Sequence, residues 1–128
     1  MRKPFFLLAD DDEDDRFFFS QAVAAIDAAI ECIMVSNGKE VLTILQNDIF
    51  SLPDYIFLDL NMPVMNGLQC LEAIKKDPHY STTHVIIYST TINEQTEGDL
   101  IKAGAFASFV KPSGTAALAH ILRQLCGL

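Results

Sequence analysis

Five short apolar runs punctuate the chain, and between them apolar residues recur at helical spacing. Phe5 to Ala9 (FFLLA), Tyr55 to Leu60 (YIFLDL) and Val85 to Ser89 (VIIYS) are continuous and rich in aromatic or branched residues. Strands buried on both faces have that character. Glu31 to Val35 (ECIMV) and Ala107 to Val110 (ASFV) are weaker, and edge strands are expected there. Phe19, Val23, Ile26 and Ile30 mark one face of a first helix. Val41, Leu42 and Leu45 mark a second after the Asn37-Gly38 turn, and a third runs from Gly67 to Lys76, stopped by Asp77-Pro78. A fourth spans Asn93 to Ala103 with Gly104 as its C-terminal cap, and the last begins near Ser113, with Leu118, Ile121, Leu122 and Leu125 as its stripe. No linker, repeat or low-complexity tract interrupts the order.

Strict alternation of five strands and five helices predicts an α/β fold: an open, doubly wound parallel sheet with helices on both faces. In such sheets ligands bind beyond the carboxyl ends of the strands, where the strand order reverses. Those ends carry Asp10 and Asp11 after strand one, Asp59 on strand three, Ser89-Thr90 after strand four and Lys111-Pro112 after strand five.

Composition narrows what that edge can do. The 128 residues are about one domain's worth, able to bury roughly 65–70% of their unfolded surface, and 1–128 is read as a single domain with no output domain. Half the residues are hydrophobic and 20% are charged, which excludes a disordered chain. Net charge is −8, yet six of the 17 acids are consecutive, Asp10 to Asp15, and no basic stripe exists to bind nucleic acid. No apolar run is long enough to span a membrane. Arg2 and Lys3 precede only five apolar residues, too few for a signal peptide, so a cytoplasmic protein is expected. Cys32, Cys70 and Cys126 lack ligand spacing and read as reduced, mostly buried thiols.

Three carboxylates at one edge repel one another, so at neutral pH they need a cation or must share a proton. Oxygen-only ligation suits Mg²⁺, which keeps several waters. A lysine, a hydroxyl and free amides beside such an ion are the donors that neutralise a phosphoryl group in flight, and an aspartate there can carry the group covalently. Asp12 to Asp15 have an ordinary explanation as acids opening a helix, with Asp12 as the cap. That explanation does not reach Asp10, Asp11 or Asp59.

The segments LLADDDEDD, FLDLNMPVMNG, IIYSTT and FVKPS, in that order from Phe5 to Leu125, closely resemble the four signatures of response-regulator receiver domains, the phosphoacceptor half of two-component signalling. The resemblance implies a flavodoxin-like sheet of order 2-1-3-4-5. It implies that Asp59 accepts a phosphoryl group from a sensor histidine kinase or histidine phosphotransfer protein. Asp11 would ligate Mg²⁺ directly, Asp10 largely through water, and Asn61 through its backbone carbonyl, with Mn²⁺ as a substitute metal. Ser89, the Thr90 amide and Lys111 would hold phosphoryl oxygens, with Asn61 beside them. The Lys111-Pro112 bond would be cis, as is common in the family. Such a domain catalyses only its own phosphorylation and dephosphorylation, and signals through a downstream protein target. Small polar residues at Asn61 and Thr91 leave room for the water that later removes the group.

Ser108 stands where the family usually has an aromatic switch, with Phe106 and Phe109 expected to point elsewhere and Tyr88 on the opposite strand face from Ser89. Of the consecutive Phe17, Phe18 and Phe19, Phe19 fits the buried stripe and Phe17 is expected to be exposed, a contact for a helical phosphodonor. His79, His84 and His120 are not placed near the acidic edge. Two rival classes remain. A pseudo-receiver would bind partners without phosphorylation, but it typically lacks one of the residues that are all present here. A flavodoxin needs a hydroxyl-rich loop after strand one, where Asp10, Asp11 and Asp12 would repel the flavin phosphate, and an aspartate-based phosphatase needs its DxD pair after strand one and a substrate cap, whereas Asp59-Leu60-Asn61 sits on strand three and no cap is encoded.

Overall fold

The structure, a computed structural model, describes residues 3–47 and 51–128; Met1 and the Arg2 of the N-terminal basic pair lie outside them. Five parallel strands, β1 (Phe5–Ala9), β2 (Glu31–Val35), β3 (Tyr55–Asp59), β4 (His84–Ser89) and β5 (Ala107–Val110), lie in the order β2-β1-β3-β4-β5. Helices α1 (Glu13–Ile26), α2 (Gly38–Leu45), α3 (Gly67–Lys75), α4 (Glu94–Lys102) and α5 (Thr115–Cys126) connect them. The expected alternation and the two weak edge strands are present. A 3₁₀ turn over Pro78–Tyr80, which the sequence pattern does not announce, follows α3.

Strand alternation divides the core into two layers. Leu7, Ala9, Ile56, Leu58, Val85 and Ile87 face α2, α3 and Leu100 of α4. Phe6, Leu8, Phe57, Ile86 and Tyr88 face Phe19, Ala22 and Val23 of α1 and Leu118, Ala119 and Leu122 of α5. The second layer is the aromatic one: Phe57 meets Phe6 at 5.2 Å and Phe19 at 5.0 Å between ring centroids.

Helix ends follow their caps. Asp12 caps α1 by accepting from the Asp14 and Asp15 amides, Asn37 caps α2, and Asn66 and Gln69 form a reciprocal capping box on α3. Two expectations need correction. Ile30 is not on α1: Asp27 is the C-cap in extended backbone, and its carboxylate takes the Ala29 amide. The acid offers the chain a turn in place of another helical step, and Ile30 reaches the same core layer from that turn. Phe18, which its position adjacent to the buried stripe would place partly inside, is exposed, as Phe17 is, and only Phe19 of the three is buried. Of the free cysteines Cys70 alone is buried and Cys32 and Cys126 are half-buried; desolvation pushes all three thiols up to about 12. Among the described residues no helix is long and apolar enough to cross a membrane.

One close approach fixes the loop between β3 and α3. A Cβ on Gly67 would stand 2.5 Å from the Asp59 carbonyl oxygen and 2.9 Å from the Leu60 Cα, both backbone atoms that cannot rotate away. The Gly67 amide in turn donates to the Leu60 carbonyl at 3.1 Å. Gly98 on α4 has nothing within 4 Å of the same position. Gly67→Ala should therefore lower unfolding stability by about 2 kcal/mol, whereas Gly98→Ala should raise it by about 0.5–1 kcal/mol. Urea denaturation of the two variants reads both signs.

Candidate functional site

The pairing register explains why the acids meet. Ala9 lies opposite Leu58, so Asp10 leaves β1 beside Asp59; Asp59 lies opposite Tyr88, and Tyr88 opposite Phe109. Asp10, Asp59, Tyr88 and Phe109 thus form one row across the carboxyl ends of four strands, and Lys111 follows two residues after Phe109. Because β1 has β2 on one side and β3 on the other, this row crosses the point where the strand order reverses.

Lys111 is the hub. Its ammonium lies 2.7 Å from Asp15 Oδ2, 3.0 Å from Asp10 Oδ2 and 3.4 Å from Asp59 Oδ2, and 4.8 Å above the centre of the Tyr88 ring. Burial works against its charge, but the hydrogen bonds it donates to Asp15 and Asp10 and the nearby carboxylate charges outweigh that and hold its pKa above the ordinary lysine value. The expected cis bond is not found: Lys111-Pro112 is trans, no cis peptide occurs among the described residues, and the lysine is aimed by its three carboxylates instead.

Asp10 is fully buried. Its Oδ1 accepts the Asp12 amide at 3.0 Å, and its Oδ2 accepts from Lys111 and from the Tyr88 hydroxyl. Its own carbonyl takes the Arg16 guanidinium at 2.8 Å, which pins the turn from β1 into α1. Asp11, by contrast, is exposed. Oxygens of Asp10, Asp11 and Asp59 lie within 4.8 Å of one another.

Asn61 links Asp59 to β4: its amide donates to Asp59 Oδ1 at 3.3 Å and its side chain to Ser89 Oγ at 3.5 Å. Ser89 is fully buried and Thr90, the next residue, is exposed. The Lys111 amide donates to the Ser89 carbonyl at 2.7 Å, tying the β5 end to the β4 end. All seven residues expected at the site therefore lie at one rim. The histidines stay away from it: His84 opens β4 at the far end, stacked on Tyr55 at 5.4 Å, His79 packs on Tyr80 at 5.1 Å, and His120 is exposed on α5.

Two participants escape the motif reading, Asp15 and Tyr88. Asp15 hides among acids that open a helix, but it lies in the first turn of α1 on the side that meets Lys111. Tyr88 could have been found from strand alternation, since it shares a sheet face with Asp59 by register.

The donor set is hard, anionic and oxygen-only, and suits a divalent cation. Crowding of the carboxylates shows in Asp59: desolvation and then the Asp10 charge push its carboxyl up to about 6, against the pull of Lys111 and the Asn61 amide. A carboxyl that is more basic folded than unfolded stabilises the fold below its unfolded pKa, and that contribution is lost as pH rises through about 6. In metal-free protein, Asp59→Asn should therefore gain about 1 kcal/mol, roughly 4 °C in Tm, at pH 8, and close to nothing at pH 4. Thermal melts in EDTA at the two pH values check this.

Comparison with known proteins agrees with this geometry. The curated protein-glutamate methylesterase/protein-glutamine glutaminase of Desulfotalea psychrophila is 35% identical over 75% of this chain, and Protein RcaC of Microchaete diplosiphon is 32% identical over 57%. The chain spans only 28% and 11% of the length of those two relatives. Among solved structures, the phosphorylated cyanobacterial phytochrome response regulator RcpA superposes with a TM-score of 0.86 at 26% identity, covering 97% of this chain and 91% of that one. The chemotaxis response regulator CheY4 of Vibrio cholerae gives 0.84 at 26% identity, covering 97% and 99%. The Mn(2+)-bound form of response regulator Rcp1 gives 0.83 at 21% identity, covering 95% and 91%, a likeness of fold. Residues 6–123 match the response regulator receiver domain across the whole sheet, so the chain belongs to that family.

Proposed function

We propose that this receiver domain is a phosphorylation-controlled switch, with Asp59 as phosphoacceptor and a sensor histidine kinase or histidine phosphotransfer protein as donor. The observation that carries the reading is the setting of Asp59: buried, 3.4 Å from a lysine ammonium, and tied through Asn61 to a buried serine hydroxyl. In the transfer a carboxylate oxygen of Asp59 attacks the phosphorus in line. The P–N bond of the phosphohistidine breaks, and its electron pair leaves with the imidazole. Lys111 exchanges Asp10 and Asp15 for a phosphoryl oxygen, and Ser89 Oγ and the Thr90 amide donate to others. Asp10, Asp11, Asp59 and the Asn61 carbonyl are the residues that would hold Mg²⁺, or Mn²⁺ in its place. When bound, the ion supplies positive charge to the phosphoryl oxygens.

The acyl phosphate draws Ser89 and Lys111 toward itself, and because both are bonded to the β4 and β5 ends, the strain passes to α4 and β5. A cavity of about 260 Å³ lies there, lined by Glu97, Leu100 and Ile101 of α4 and by Phe106 and Ser108. Phe109 packs on Tyr88 at 5.6 Å and Phe106 on His84 at 4.3 Å, with Phe106 also lining the cavity beside Ser108. A downstream protein target would read the α4–β5 surface.

Incubation with Mg²⁺ and acetyl phosphate should add one phosphoryl group by intact mass. Asp59→Asn should abolish the addition; Asp27→Asn, on the surface beside Lys3, should leave it unchanged. A wild-type protein that gains no phosphoryl group favours the pseudo-receiver. Phe17, 56% exposed on α1, is the expected donor contact. Phe17→Ser should slow transfer from the cognate donor about tenfold, a loss of roughly 1.4 kcal/mol, and leave acetyl phosphate labelling unchanged. Equal slowing of both removes the docking role.

A further inference from the structure

We propose that Tyr88 is a positioning residue of the acid pocket, holding Asp10 in its cation-binding orientation through its hydroxyl while its ring carries Lys111. This rests on the metal-dependent reading given above and adds a residue to it.

Three observations support it. The Tyr88 hydroxyl donates to Asp10 Oδ2, and Asp10 is fully buried. Tyr88 is itself 2% exposed and wedged between Phe19 at 6.2 Å and Phe109 at 5.6 Å, so its hydroxyl is fixed by the core. Its ring lies under Lys111 at 4.8 Å.

The chemistry separates the two donors on Asp10 Oδ2. Lys111 neutralises the carboxylate, and so competes with a cation for it. The tyrosine hydroxyl is neutral: it fixes the carboxylate and leaves its charge available. When Lys111 swings to a phosphoryl oxygen, Tyr88 becomes the remaining side-chain donor on that oxygen. Without it the carboxylate is anchored by the Asp12 amide alone and can turn about it. Buried donors that orient a metal ligand in this way are worth about tenfold or more in metal affinity.

Tyr88→Phe isolates the hydroxyl, because the phenyl ring keeps both the core packing and the face beneath Lys111. Mn²⁺ titration followed by the EPR signal of the free ion should show affinity weakened about tenfold. Tyr80→Phe is the structural comparison: it removes a buried hydroxyl that donates to the Leu45 carbonyl, remote from the acids, and should leave Mn²⁺ affinity unchanged. Unchanged or tighter binding in Tyr88→Phe overturns the proposal, as does an equal loss in Tyr80→Phe. Wild-type protein with no measurable Mn²⁺ affinity overturns this proposal and the metal-dependent reading together. Should Tyr88→Phe not fold, wild-type protein made with 3-fluorotyrosine reads the same contact, its resonances assigned through Tyr55→Phe and Tyr80→Phe. The Tyr88 ¹⁹F signal should move as Mg²⁺ is added, and a signal unmoved through saturation contradicts the proposal.

Discussion

Like charge gathered in a poorly hydrated place governs this molecule. Asp10 and Asp59 leave adjacent strands side by side, both buried, with Asp11 and Asp15 close behind them and one ammonium among them. Carboxylates so placed are held in check by proton uptake, by Lys111 and by neutral donors, and each leaves its mark. Asp59 is pushed toward neutrality, Lys111 is held protonated and divided among three partners, and Asp10 carries donors on both oxygens. A site poised in this way favours whatever brings positive charge.

The fold makes the gathering possible. Two apolar layers clamp β1, β3 and β4, and alternation sends Asp10, Asp59, Tyr88 and Phe109 to the layer beneath α1 and α5. The loops at that rim are tightly constrained. Gly67 lets α3 approach the Asp59 carbonyl, and Val64, at φ +67° with a bond from the Met65 amide to the Pro63 carbonyl, holds a γ-turn that a branched side chain adopts only under strain. Strain of this kind persists where surrounding structure fixes it and is common at functional sites.

Most of the fold was legible because buried parallel strands are continuous apolar runs, and FFLLA, YIFLD and VIIYS are short, rich in aromatic or branched residues and closed by polar ones. Asp10, Asp11 and Asp59 were legible because acids at the ends of such runs have few structural reasons to be there, and Lys111 only through its spacing from them, since a lysine after a weak strand is ordinarily a solvated one. Residues whose role depends on a distant partner were harder to see. Asp15 resembled any acid in a first helical turn, and its pairing with Lys111 crosses from α1 to β5. Tyr88 read as one more core aromatic until register put it beside Asp59. Ile30 kept helical spacing although Asp27 had already ended the helix, since periodicity does not register a side chain that competes for the backbone. The trans Lys111-Pro112 bond departs from the family habit, and the lysine's direction comes from its carboxylates.

The oxygens gathered at this rim suit one divalent ion. Anomalous diffraction from crystals grown with Mn²⁺ tests this most directly. A single peak is expected at the rim, within bonding distance of the Asp11 and Asp59 carboxylates and the Asn61 carbonyl. Full Mn²⁺ occupancy elsewhere on the molecule with none at that rim would contradict it.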